Sequence, residues 1–135
     1  MIQEALEHHP EPLHISIDWE DQIAPQHRPV ADWWHLVLGD TRDPQTFQKV
    51  AYIAELRRAG VIFIDTDHNY DQMKAELGLW GPLADEQTVW LFHDTWMYGP
   101  PNVEMTRAIV EYAAANGWVY DDYRKDSHGL GRMRK

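Results

Sequence analysis

The stretch VIFIDTDHNYD, residues 61–71, decides the fold. Four apolar residues run directly into Asp65, Thr66, Asp67, His68 and, two residues on, Tyr70. Valine and isoleucine are stiff at χ1 and suit a pleated sheet better than a helix. A short continuous apolar run predicts a strand buried on both faces, inside a parallel sheet. The C-terminal edge of such a sheet is where open α/β folds take their ligands. Asp65, Asp67 and His68 therefore fall where chemistry is expected.

The same pattern recurs on both sides. LHISID (13–18), WWHLVLGD (33–40) and TVWLFHD (88–94) read as strands, and each ends in an acid: Asp18, Asp40, and Asp94 beside His93. In one parallel sheet these residues would line one edge. Between the strands lie helical patterns. Asp43 before Pro44 is an N-cap followed by proline at the first helical position. That helix is expected to bury Phe47, Val50, Ala51 and Ala54 and to end at RRAG, residues 57–60. A second helix carries Tyr70, Met73, Leu77 and Trp80 at three- and four-residue spacing, with Asp67 a candidate N-cap. A third, from VEM at 103–105, is expected to turn Thr106, Ile109, Val110 and Ala113 inward and to stop at Asn116-Gly117. WVYDDY and GLGRMRK read as a closing antiparallel pair. The opening MIQEALEH reads as the end of a helix, stopped by the prolines of HPEP. Strands alternating with helices argue for an α/β domain, expected to be a single unit over residues 1–135.

Composition narrows the function. The chain has 135 residues, 44% of them hydrophobic, with seven tryptophans and six tyrosines, enough for a packed core. Its formal charge is −10 and its pI near 5.1, which sets it against phosphate backbones, so no nucleic-acid partner is expected. It has no cysteine, which excludes disulfides, thiolate metal sites and cysteine nucleophiles and is compatible with the expected cytoplasmic location. The start has neither the basic nor the apolar region of a signal peptide. No stretch approaches the roughly 20 apolar residues of a membrane span, so no membrane partner is expected.

Three stretches carry a resemblance. FIDTDHNYDQMKAELGLWGPL resembles the fourth-strand motif of class I S-adenosylmethionine-dependent methyltransferases, specifically the metal-dependent O-methyltransferases of the macrocin, cephalosporin-tailoring and rhamnosyl type. Thr66 stands where that motif usually has glycine and Asn69 where it has serine. TVWLFHDT is similar to the next strand and GLGRMRK to the last. The resemblance implies a Rossmann-like, mostly parallel sheet with a C-terminal antiparallel hairpin. It also implies a first strand and glycine-rich turn holding the methionine end of the cofactor, and these 135 residues contain no such turn. Direct pairing of the 13–18 and 61–64 strands, a strand from a second copy in a homo-oligomer, or a preceding segment of a longer product would each satisfy the sheet, and the last is the expectation. The isolated chain is accordingly expected to bind the cofactor weakly or not at all.

What the resemblance implies for the site is specific. Asp18 would take the ribose hydroxyls, Asp40 the adenine end, and Thr66 would touch the cofactor. Asp65, His93 and Asp94 would hold a divalent metal, magnesium or manganese. Asp65 and His68 would serve catalysis on a sugar or other small-molecule hydroxyl. Each residue also has a plainer reading: strand-end turn acids for Asp18 and Asp40, and backbone hydrogen bonding for His68. Trp96 and Tyr98, in the loop past residue 94, could wall an acceptor pocket or simply pack. Two other functions compete. Asp65-Thr66-Asp67 fits the Asp-X-Asp of a metal-dependent nucleotide-sugar glycosyltransferase, and a degenerate, non-catalytic methyltransferase half would explain the missing glycine turn.

Overall fold

A computed structural model describes residues 9–97 and 103–135. The expected N-terminal helix end and Tyr98 lie outside the described residues. The chain is α/β and divides into two compact units, residues 1–56 and 57–135.

The first unit holds β1 (His14–Asp18), β2 (Trp34–Leu38) and α1 (Pro44–Ile53). The two strands pair in parallel with Asp18 opposite Leu38, so Asp18 and Asp40 share the C-terminal edge. The Asp43 carboxylate accepts from the Gln45 N–H and Pro44 opens α1, as the sequence predicts. Val37, Val50, Ala51 and Ala54 form a small core. Gly39 is required there by contact: a Cβ on it would lie 2.2 Å from Thr46 Oγ1. α1 stops at Ile53, earlier than expected. Glu55 and Leu56 turn left-handed, at φ 51° and 59°, and the Leu56 N–H closes back on the Ala51 carbonyl. Arg57 and Arg58 thus lie beyond the last turn, and the Arg58 guanidinium donates to the Pro82 carbonyl instead.

The second unit is a four-stranded sheet in the order β3 (Val61–Ile64), β4 (Val89–His93), β6 (Leu130–Arg134), β5 (Val119–Arg124), with α2 (Tyr70–Trp80) and α3 (Val103–Asn116). β3 and β4 run parallel, Ile64 beside Phe92, while β6 is antiparallel to both β4 and β5. The closing antiparallel pair is as expected. The core is dense: Met73, Leu77, Trp90, Phe92, Ile109 and Met133 are fully buried. Trp90 and Phe92, two apart on β4, point the same way with rings nearly parallel. On α3, Thr106, Ile109 and Ala113 face inward as expected, but Val110 is exposed.

Two expectations fail here. The strand at 61–64 is not buried on both faces. It lies at the edge of its sheet, and Val61 and Phe63 are 59% and 51% exposed. Nor do the four strand-end acids share one hydrogen-bonded sheet: Asp18 and Asp40 follow the β1–β2 ladder, Asp65 and Asp94 the β3–β4 ladder. β1 pairs with β2, and β3 with β4.

Candidate functional site

β3 ends at Ile64 and β4 at His93, one register step apart in a parallel pair. Their next residues, Asp65 and Asp94, therefore emerge side by side. The turn after Asp65 reaches α2, whose N-cap is Asn69 rather than Asp67: Asn69 Oδ1 accepts from the Gln72 N–H at 2.8 Å. His68, just before the cap, is brought back over the strand ends.

The result is a tight group. Asp65, His68 and Asp94 each offer one ligand atom, all within 4.8 Å of one another. His68 Nε2 lies 3.3 Å from Asp94 Oδ2. His93 Nδ1 lies 3.3 Å from Asp65 Oδ1 and 2.9 Å from Asp94 Oδ1, between the two carboxylates, without a hydrogen bond to either. A third imidazole, His128, was not singled out in the sequence. It comes from the β5–β6 connection and places Nδ1 3.7 Å from Asp94 Oδ1. Only the register of a distant hairpin brings it there, and no local spacing could have signalled it. Trp96 N–H donates to the His128 carbonyl at 2.6 Å, and Lys125 lies over the Trp96 ring, so the hairpin is tied to the loop after β4.

Asp94 is the centre of this group. It is 8% exposed and sits at φ 58°, a left-handed conformation uncommon for a non-glycine residue. Its Oδ1 is buried and accepts no hydrogen bond: the 2.9 Å approach of His93 Nδ1 lacks the alignment that a hydrogen bond needs. A buried carboxylate oxygen without a donor is costly unless a charge meets it. Oxygen and imidazole donors converging on such an atom are the donor set of a divalent cation. The residues present thus fit a metal.

The other expected residues are less committed to a ligand. Thr66 Oγ1 donates to Glu76 Oε2 at 2.8 Å, so its hydroxyl proton is turned into the protein. Asp67 is exposed and outside the cluster. Asp18 Oδ1 accepts from the Glu20 N–H at 3.3 Å. Asp40 is gripped by Arg42, whose backbone N–H, Nε and terminal nitrogen all reach its carboxylate at 2.8–3.1 Å. Those hydrogen bonds hold the Asp40 carboxyl below its usual pKa. Tyr70 bonds Glu111 at 2.5 Å and stacks under Arg107, spanning α2 and α3 at the surface rather than filling the core.

Comparison with known proteins adds the context. Residues 1–95 match a family model described as a methyltransferase domain. No sequence among the curated proteins matches. Among solved structures, the chain is similar to a TDP-rhamnose 3'-O-methyltransferase of calicheamicin biosynthesis, at a TM-score of 0.57 and 16% identity, over 78% of this chain and 43% of that one. It is also similar to the MycE methyltransferase of the mycinamycin pathway, in complex with Mg and SAH, at a TM-score of 0.63 and 13% identity, over 90% of this chain and 36% of that one. At such identities the likeness establishes the Rossmann-like methyltransferase fold. The chain spans well under half the length of those structures. Among the described residues no helix is long and apolar enough to cross a membrane.

Proposed function

The chain belongs to the methyltransferase-domain family, and on that premise we propose that it serves metal-assisted methyl transfer from S-adenosylmethionine to a hydroxyl of a sugar or other small molecule. The observation that carries this reading is the convergence of Asp65, His68 and Asp94 at the C-terminal edge of β3–β4. The neighbouring folds support it: one is described as a sugar-nucleotide O-methyltransferase and another was solved with magnesium and the demethylated cofactor.

Asp65, His68 and Asp94 are the proposed metal ligands, which moves His68 from catalysis into the ligand set. His93, between the two carboxylates, stays outside the proposed ligand set. A divalent cation held by these residues would supply Lewis acidity to lower the pKa of the acceptor hydroxyl. An imidazole in the set favours manganese, iron or zinc over magnesium, which prefers oxygen ligands. Half-exposed Asp65 would accept the hydroxyl proton on the carboxylate oxygen that does not hold the cation, becoming neutral, with His93 Nδ1 3.3 Å from its Oδ1. The acceptor oxygen gains the methyl group, and S-adenosylhomocysteine leaves. Asp18 is the proposed ribose partner. Asp40 would have to yield its Arg42 hydrogen bonds to serve the adenine end.

The Asp-X-Asp reading is the weaker one because Asp67 is outside the cluster. A methyl-transfer assay tests the proposal, with tritium-labelled S-adenosylmethionine at millimolar concentration and nucleotide-sugar acceptors. Transfer should require added manganese, stop with chelator, and fall at least about 100-fold in Asp94→Asn, as expected when a charge-stabilising group is removed. Transfer unaffected by chelator, or none with any hydroxyl acceptor, would contradict it.

A further inference from the structure

Glu76 lies on the inner face of α2 and is 1% exposed. Both of its carboxylate oxygens are engaged by neutral donors. Thr66 Oγ1 donates to Oε2 at 2.8 Å, and Gln72 Nε2 donates to Oε1 at 2.6 Å. The Gln72 backbone N–H is in turn held by the Asn69 side chain at 2.8 Å. One polar network thus runs from the N-terminus of α2 back to the turn that follows β3.

A carboxylate is a poor filler for a core. A methionine or leucine would occupy the same volume without the desolvation penalty, and such replacements of buried charge are often neutral or stabilising. What an apolar residue could not do is hold Thr66. The segment from Asp65 to His68 belongs to neither β3 nor α2, yet it must present two side chains to one point. Thr66 sits between them in sequence, and its hydroxyl ties the segment to buried Glu76 across ten residues.

We propose that Glu76 is a positioning residue: through the Thr66 hydroxyl it fixes the 65–68 turn so that Asp65 and His68 face Asp94. The inference rests on the metal-site reading above. Glu76 contacts neither metal nor substrate and acts through the backbone of the turn. Partners one layer out from a metal commonly set its affinity by about 10- to 100-fold.

The test uses Thr66→Val, which keeps the shape and removes the donor, Thr66→Ser, which keeps the donor, and Glu76→Gln. Two quantities are read on each: manganese affinity by calorimetry, and amide hydrogen exchange of residues 65–69 in metal-free protein. Thr66→Val should exchange faster over 65–69 while α2 stays protected, and should bind manganese about 10- to 100-fold more weakly. Glu76→Gln should move in the same direction by less, because the amide replaces one of the two acceptor oxygens with a donor. Thr66→Ser should restore both readings. Unchanged exchange over 65–69 in Thr66→Val would overturn the tether itself. Faster exchange with wild-type manganese affinity would overturn the positioning role and leave the metal site standing. A wild-type chain that binds no manganese would instead overturn the metal reading, and this inference with it.

Discussion

Asp94 combines three features that a stability-driven sequence would avoid. It is buried, left-handed, and leaves Oδ1 without a hydrogen bond. Backbone strain of this kind costs of order 1–3 kcal/mol and tends to persist where function requires it. Asparagine tolerates the same backbone conformation and carries no charge. Asp94→Asn keeps the shape and the backbone conformation and should therefore melt no lower than wild type without metal. Manganese should raise the melting temperature of wild type and not of the variant. A metal-free melting temperature several degrees below wild type would make the carboxylate structural. The glycines of GLGRMRK belong to the same design. Gly129 lies at φ 92° with Thr95 and Trp96 backbone and side-chain atoms 2.8 Å from where a Cβ would be, and a Cβ on Gly131 would lie 2.7 Å from the Tyr120 hydroxyl. The hairpin must press against the residues after Asp94, and only glycine allows it.

At the scale of elements, the sequence was readable where the signal was local. The Asp43-Pro44 start of α1, the spacing of Met73, Leu77 and Trp80 on α2, and the acids after each strand all come from short-range chemistry. What failed depended on neighbours. An apolar run cannot report whether its strand is central or at an edge, so β3 was expected to be buried and is half-exposed. A helix end made by two left-handed residues, Glu55 and Leu56, carries no glycine to announce it. Asp67 looks as good an N-cap as Asn69 until the turn geometry chooses. At the candidate site, Asp65, His68, His93 and Asp94 could be singled out because they lie at or just past strand ends, whereas the proposed exchange of roles between the two histidines rests on side-chain geometry. β1 supplies a pH prediction. Partial burial holds the His14 pKa below its usual 6.5. As pH falls through 6.5, the unfolded chain takes a proton that folded His14 resists, so stability falls. The contribution is complete above 6.5 and is lost below it. Urea unfolding at pH 7.5 and 5.5 should show a smaller drop for His14→Gln than for wild type, and equal drops would remove His14 from the pH dependence.

At the scale of the whole molecule, the acidic residues are spread widely, and net charge −10 gives a cation many weak places to go. A metal site is distinguished from that background by location. The proposed site on the methyltransferase fold is Asp65, His68 and Asp94, with His93 between the carboxylates and His128 at the rim. The direct test is sub-stoichiometric manganese added to the isotope-labelled 135-residue chain, read by paramagnetic broadening of assigned amide and imidazole signals. The predicted result is early loss of the signals of residues 65–68, 93–95 and the His128 ring, with the acidic stretches at 18–21 and 121–126 broadened only at much higher metal. Uniform broadening over all acidic segments, or first loss at 18–21, would contradict the site.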